Sequence, residues 1–218
     1  MPLSVSQITS LCATGQLDQI KLVLEHDIPS LPEEDQLRYC CHSSPCTPSP
    51  CTRQITLWAR CATRKDQQHI VRYLWDTFLG PGGVEVPWES LRCAASRGSI
   101  SLAEIFWAHD RTCFQRVEPK GIFRPGGETQ VGCAVSRGRF DYVDYILARG
   151  ADVNAGSASW RPLLSVIRQT TDHDIALQRA RFLCDRGAVV TDSDVEAARK
   201  RNEPELVSFL FSQQAEKA

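Results

Sequence analysis

GRFDYVDYILARGADVN, residues 138–154, is the segment with the clearest structural pattern in this chain. Its apolar side chains recur at the spacing of a short helix buried along one side, and they are Phe140, Tyr142, Val143, Tyr145, Ile146 and Leu147. Gly150 ends this helix, because glycine takes the left-handed conformation that closes a final turn without a Cβ clash. The next residues are turn-forming, so the chain doubles back. Such a unit cannot bury its own apolar face and requires neighbouring copies.

Imperfect copies of this unit occur along the whole chain. Segments that begin at Gly15 and Gly98 repeat the pattern, and weaker copies begin at Asp66 and Asn202. Aspartate and asparagine tolerate a left-handed turn better than other non-glycine residues, so they can replace the glycine there. A fifth copy, residues 177–188, is distorted but ends in the same Arg-Gly-Ala sequence as the first segment.

A second, smaller helix pattern precedes each turn residue. Cysteine lies five residues before the turn in Cys61-Ala62, Cys93-Ala94 and Cys133-Ala134, and these small side chains let two helices approach closely. The order of helix, tight turn, helix and extended finger resembles the ankyrin repeat. The most specific matches are residues 137–155 and the RPLL sequence of residues 161–164, which resembles a degraded form of that family's Thr-Pro-Leu-His opening.

The resemblance implies an all-α fold, an ankyrin-like solenoid of helix-turn-helix repeats that forms a single domain over residues 1–218. We place the repeats at residues 3–28, 54–80, 88–110, 129–155, 160–188 and 193–213. Long inserted loops then occupy residues 29–53 and 111–128. A shorter insertion, residues 169–174, interrupts the fifth repeat.

Composition excludes several classes of protein. A formal net charge of −1 gives no broad electrostatic case for binding nucleic acid or an anionic membrane. No apolar run is long enough to cross a bilayer, and residues 1–15 lack the basic start and long apolar core of a signal peptide. We therefore expect a cytoplasmic or nuclear protein. Half of the ten cysteines fall on apolar repeat positions and are expected to be reduced structural thiols, namely Cys12, Cys61, Cys93, Cys133 and Cys184.

The first insertion contains a cluster of possible metal ligands, Cys40, Cys41, His42, Cys46 and Cys51. Thiolate and imidazole groups bind zinc, but structural zinc sites usually contain paired C-x-x-C ligands, and no such pair is present. The first two cysteines are adjacent, and the prolines around them limit how the loop wraps an ion. We favour a flexible excursion between repeats and no metal. A zinc site of Cys41, His42, Cys46 and Cys51 is the alternative.

Four residues are candidate contacts with a partner, because ankyrin-like proteins bind other proteins with their fingers and inner helices. Trp88 and Trp160 stand just before the first helix of their repeats, and tryptophan is enriched at interface hot spots. Arg60 and Arg92 occupy the place of the family's opening histidine. The competing explanations are that each tryptophan packs over the core and that each arginine donates to a loop carbonyl.

No motif for nucleotide or hydride chemistry is present, so we expect no cofactor. Histidine followed by aspartate recurs at His26-Asp27, His109-Asp110 and His173-Asp174, and such a pair can act as a general base. The first two pairs fall on helix-ending turns, where the aspartate is expected to substitute for glycine. His173 lies in the predicted short insertion and has no explanation in the repeat pattern.

Two hypotheses about function follow. The first is a recognition module that binds another protein through its finger loops and concave helical face. The alternative is a small cofactor-independent isomerase or cyclase whose groove is an aromatic-lined pocket for a small apolar molecule. Its acid or base would be His109, or His173 with Asp174. A closed apolar pocket that contains one of these histidines would favour the enzyme, whereas an open charged face would favour recognition.

Overall fold

The computed structural model describes residues 3–36, 39, 52–80, 84–119 and 126–216. Within these ranges the ordered elements are helices, apart from an isolated bridge between Val117 and Thr129. The α-helices are α1 (Val5–Thr14), α2 (Leu17–Leu22), α3 (Glu33–Gln36), α4 (Thr52–Arg64), α5 (Gln68–Leu74), α6 (Trp88–Arg97), α7 (Ile100–His109), α8 (Gln130–Val135), α9 (Phe140–Leu147), α10 (Pro162–Gln169), α11 (His173–Cys184), α12 (Asp192–Lys200) and α13 (Pro204–Glu216). The predicted all-α fold is confirmed.

Contacts divide the chain into two compact units. The first unit comprises Met1–Ala94 and Ser101–Cys113, and the second comprises Ala95–Ile100 and Phe114–Ala218. In the first unit α1 packs on α2 and α4, and α4 packs on α5. In the second unit α8 packs on α10 and α10 on α12, while each of these helices also packs on the helix that follows it. Helical hairpins therefore stack through their first helices within each unit.

The tight turns inside the hairpins use left-handed backbone conformations. Gly15, Gly98 and Gly138 have φ angles of +84°, +74° and +68°. Asp66 and Asn202 have φ angles of +59° and +58°, and they are the non-glycine residues with positive φ in the described ranges. The prediction that aspartate and asparagine replace glycine at these turns is confirmed.

The same prediction is wrong at the two His-Asp pairs, because neither Asp27 nor Asp110 has a positive φ angle. Asp27 is the last residue of a π-helical turn, Val23–Asp27, that continues α2. A matching π-helical turn, Trp75–Leu79, continues α5. Asp110 instead accepts hydrogen bonds from the backbone nitrogen and the hydroxyl of Thr112, at 3.0 and 2.8 Å. These helices end by widening or by an aspartate turn, and a left-handed residue is not needed.

Small residues of the first helices are buried, although Cys61 and Cys93 are only half-buried. Cys12, Ala62, Ala94 and Ala134 are each 0% exposed. The second helices supply larger side chains to the core, including Ile20, Ile70, Leu102, Val143 and Leu183. The described cysteines are free, namely Cys12, Cys61, Cys93, Cys113, Cys133 and Cys184.

Half of the predicted insertion, residues 169–174, lies within helices. α10 ends at Gln169 and α11 begins at His173, so a short linker joins them. Asp172 caps α11, because its side chain accepts a hydrogen bond from the backbone nitrogen of Ile175 at 2.9 Å. His173 is therefore the first residue of a helix, and its predicted position in an inserted loop is wrong.

Candidate functional site

Three of the predicted contact residues lie in the first unit. Arg60 is in α4, and Trp88 and Arg92 are in α6. All three are half-buried. Trp88 is the first residue of α6, so its predicted position before the helix is wrong. The helix starts one residue earlier than expected because the Pro87 carbonyl already accepts a hydrogen bond from the Ser90 nitrogen, at 2.9 Å.

Arg60 and Arg92 occupy equivalent positions, since each directly precedes a Cys-Ala pair on the first helix of a hairpin. Neither guanidinium forms a hydrogen bond or an ion pair with another described residue. The competing explanation, a bond to a loop carbonyl, is therefore not seen among the described residues. The indole nitrogen of Trp88 is likewise buried and has no hydrogen-bond partner within the described part of the chain. Arg92 lies four residues after Trp88, so the two side chains share one face of α6.

Trp160, the fourth predicted contact, lies in the second unit. It is half-buried and ends the turn before α10, where its nitrogen donates to the carbonyl of Ser157 at 2.8 Å. The neighbouring Gly156 has a φ angle of +121°, and a Cβ atom there would lie 2.9 Å from the carbonyl oxygen of Trp160. The turn that carries Trp160 therefore depends on glycine.

Arg161, next to Trp160, has a structural role that the sequence did not reveal. Its guanidinium donates to Asp194 Oδ2 at 2.8 Å, to Thr191 Oγ1 at 2.6 Å and to the carbonyl of Val189 at 3.2 Å. Asp194 is 0% exposed and also closes the capping box of α12 with Thr191. Arg161 therefore links one repeat to the next. The sequence feature that could have indicated this role is the Thr-x-x-Asp capping box of the following repeat, which lies about 30 residues after Arg161.

His109, a candidate acid or base, is held by neighbours in the first unit. Its Nε2 atom lies 2.9 Å from Asp76 Oδ1, and its ring packs on Trp75 with centroids 5.4 Å apart. The imidazole side chain is 7% exposed, and its Nδ1 atom is buried without a partner in the described ranges. These contacts join α7 to the end of the preceding hairpin, which is a packing role.

His173, the other candidate, is 66% exposed and pairs with a residue that sequence reasoning missed. Its Nδ1 atom lies 3.2 Å from Oε1 of Glu203, whose side chain is 2% exposed. Arg201 donates to the same oxygen from Nε at 2.6 Å, and its Nη2 atom lies 2.5 Å from that oxygen in the ion pair. Asp174 is exposed and joins His173 in lining a cavity of about 280 Å³. The turn before α13 brings Glu203 to α11, a pairing that no local pattern predicts.

The structure offers no metal centre within the residues that it describes: no group of three His, Cys, Asp or Glu side chains is arranged to hold an ion. The alternative zinc ligands, Cys41, His42, Cys46 and Cys51, lie outside the described residues. Of the helices in the described ranges, none combines the length and the apolar character that a membrane span requires.

Comparison with known proteins identifies the fold. No protein-family model matches the chain, and no curated protein matches it. The structure is similar to an ankyrin repeat domain from Acinetobacter baumannii AYE, with a TM-score of 0.59 and 18% sequence identity over 95% of this chain and 97% of that one. It is also similar to the ankyrin repeat domain of Bcl-3, described as a unique member of the IkappaB protein family, with a TM-score of 0.61 and 16% identity over 98% and 86% of the two chains. The chain thus has the ankyrin-repeat fold that the sequence resemblance implied.

Proposed function

We propose that this chain is an ankyrin-type recognition module that binds another protein through its finger loops and the first helices of its repeats. The observation that carries the proposal is a pair of half-buried arginines, Arg60 and Arg92, whose guanidinium groups have no hydrogen-bond or ion-pair partner among the described residues. A guanidinium has five N–H donors, so a partner that supplies carboxylate or carbonyl oxygens gains charge-assisted hydrogen bonds there. Arginine at such a position is typical of interface hot spots.

Trp88 supports the same surface. Its side chain shares a face of α6 with Arg92, and its buried indole nitrogen lacks an acceptor among the described residues. A partner that offers an acidic segment could bind both arginines and pack an apolar group beside the indole. Trp160 is a separate candidate contact in the second unit. We also propose that the six repeats span residues 3–28, 54–80, 88–110, 129–155, 160–188 and 193–213.

The geometry does not favour the isomerase or cyclase alternative. His173 is 66% exposed, so it does not lie in a closed apolar pocket. The side chain of His109 is buried, but its imidazole is already in contact with the Asp76 carboxylate and the Trp75 ring. We place the module in the cytoplasm or nucleus, which the free thiols of the described cysteines support.

The test compares the wild-type chain with an Arg60→Ala/Arg92→Ala double variant and with Arg72→Ala. Arg72 is an exposed residue of the second helix α5, so it serves as a matched control. Proteins that the wild type retains from a cell extract are purified, and their dissociation constants for all three chains are measured by calorimetry. We expect the double variant to bind the partner at least about tenfold more weakly, which is the effect of losing one or two hot-spot side chains.

Arg72→Ala is expected to bind as the wild type does. We expect thermal unfolding followed by circular dichroism to show equal stability of all three chains, since side chains outside the core contribute little to stability. Equal affinity of the double variant and the control for every retained protein would contradict the proposed surface.

A further inference from the structure

A cavity of about 280 Å³ lies at the turn end of two hairpins in the second unit. His173, Asp174 and Leu177 from the start of α11 form one side of it. Asn202, Glu203 and Glu205 from the start of α13 form the other side. In an antiparallel hairpin the tight turn and the finger loop are at opposite ends, so this cavity is distinct from the finger loops proposed above as a binding surface.

The lining of the cavity is acidic. Asp174, Glu203 and Glu205 contribute three carboxylates, whereas the lining contains no lysine or arginine. Arg201 pairs with Glu203 from outside the lining, and His173 is the basic side chain within it. Asp174 and Glu205 are exposed and carry their charges at the mouth. The site therefore attracts a cation.

The carboxylate of Glu203 is bonded on one side only. Three donor atoms, two from Arg201 and one from His173, lie within 3.2 Å of Oε1. The second oxygen, Oε2, is buried and has no hydrogen-bond partner in the part of the chain that the structure describes. A buried acceptor without a donor costs free energy, and an incoming donor removes that cost. Glu203 lines the cavity beside His173, whose side chain is 66% exposed.

We propose that this cavity binds a lysine or arginine side chain of a partner protein. Its volume lies just below the range of roughly 300–1,000 Å³ for pockets that hold drug-sized molecules, so it suits a single long side chain. Leu177 and Pro204 offer apolar surface for the methylene stem, while the carboxylates receive the charged head. This binding site is additional to the recognition surface of Arg60 and Arg92, and its failure would leave that proposal intact.

The test is a titration of the ¹⁵N-labelled chain of residues 1–218 followed by ¹H–¹⁵N NMR. The probe is N-acetyl-arginine methylamide, and N-acetyl-citrulline methylamide is the neutral isostere. We expect the arginine probe to shift the amide signals of residues 173–177, 202, 203, 205 and 206, and the citrulline probe to bind more weakly. Equal binding of the two probes, shifts outside these segments or no shift at all would overturn the proposal.

Charge at the mouth is tested with an Asp174→Asn/Glu205→Gln double variant. Both side chains are exposed, so the variant folds normally, and the arginine probe is expected to bind about fivefold more weakly because two ion pairs are lost. Asp141→Asn, an exposed carboxylate of α9 in the same unit, is the matched control and should bind as the wild type does. Unchanged affinity in the double variant would contradict the acidic site.

Further titrations exclude other occupants. Tighter binding of free arginine than of the blocked amide would identify a free amino acid as the ligand. Inorganic phosphate that shifts the same signals would identify an anion site. Signals of residues 173–177, 202, 203, 205 and 206 that move with protein concentration alone would identify a second copy of this chain. Each of these results would overturn the proposal.

Discussion

Among single residues, the left-handed turn positions show most directly how sequence determines backbone. Gly138 has a φ angle of +68°, yet a Cβ atom there would come no closer than 3.8 Å to its nearest neighbour among the described residues, Arg179 Nη2. Space is therefore available for a side chain, and the requirement for glycine is conformational. Asp66 and Asn202 adopt nearly the same φ angle at the equivalent turns. For these short polar residues the left-handed conformation costs less free energy than for other non-glycine residues.

Substitutions at Gly138 separate conformational strain from steric clash. We expect Gly138→Val to lower the free energy of unfolding by about 1–3 kcal/mol, because a β-branched residue strongly disfavours positive φ. Gly138→Asn should cost less than about 1 kcal/mol, since asparagine tolerates this region. Urea unfolding of both variants measures the difference. Equal destabilisation by valine and asparagine would mean that packing, and not the φ angle, selects glycine.

Because Cys12 is buried, we expect the free energy of unfolding to depend on pH in the alkaline range. Burial, and to a smaller extent the neighbouring Cys61, raises the pKa of the Cys12 thiol from 9.0 to about 12. The folded state therefore keeps its proton above pH 9, where the unfolded chain loses it. The contribution of Cys12 to stability is complete below pH 9 and declines as the pH rises from 9 towards 12.

Alkylation checks this state of Cys12. At pH 8 we expect iodoacetamide to leave Cys12 unmodified in the native chain and to modify it in urea, because the thiolate is the reactive form. Cys93 is half-buried and provides the internal comparison. Peptide mass spectrometry at successive times gives both rates. Labelling of native Cys12 as fast as that of Cys93 would contradict its burial.

At the level of helices, one device recurs at the end of the second helix in three repeats. An arginine lies over the aromatic ring four residues before it: Arg149 over Tyr145 and Arg186 over Phe182 at 3.5 Å, and Arg111 over Trp107 at 5.2 Å. Arg149 and Arg186 also donate to the backbone carbonyls of those aromatic residues, at 3.2 and 3.0 Å. The cation thus satisfies a terminal carbonyl and complements the negative end of the helix dipole.

Removal of one such arginine should weaken its helix end. We expect Arg149→Ala to lower the free energy of unfolding by about 1 kcal/mol, the combined effect of a cation–π contact and a helix-terminal charge. Lys200→Ala, at an exposed position near the end of α12, should change it by less than about 0.5 kcal/mol. Chemical denaturation provides both values. A loss at Arg149 no larger than at Lys200 would show that the stacked geometry adds nothing.

Helices and turns could be predicted from the sequence because their signals are local. The apolar spacing in α9 and the turn residues Gly138, Asp66 and Asn202 lie within a few residues of the structure that they determine. The prediction for the His-Asp pairs was wrong because it used the same local pattern. That pattern does not distinguish a left-handed turn from the π-helical turn that continues α2, or from the aspartate turn at Asp110. The competing conformations differ by small free energies that tertiary packing decides.

The candidate sites were less predictable, because they depend on pairs that are distant in sequence. The link between Arg161 and Asp194 joins residues of successive repeats, and so does the contact of His173 with Glu203. Each pair forms only after hairpins stack, so its members carry no mutual signal in the chain. Arg60 and Arg92 could be proposed from the sequence because repetition places them at equivalent positions before Cys-Ala pairs.

For the whole molecule, the stacking order determines how a local defect spreads. In the second unit α13 packs on α11 and α12, while α8 packs on α9 and α10. Repeat proteins are stabilised mainly by contacts between nearest neighbours, so a defect in the last hairpin should weaken only the adjoining helices. A globular core would instead distribute the loss over every helix of the unit.

Leu210→Ala in α13 tests this expectation, because Leu210 is 0% exposed and its truncation leaves a cavity. We expect the free energy of opening to fall by about 2–5 kcal/mol in α11, α12 and α13, as for a buried leucine. Amides of α8 and α9 should keep nearly their wild-type protection. Native-state hydrogen exchange measures all five helices in one experiment, with the exposed Phe211→Ala as the control for a side chain of α13 outside the core. Equal loss of protection in α8 and α13 would mean that the second unit unfolds as one cooperative body, and nearest-neighbour stacking would then not describe its stability.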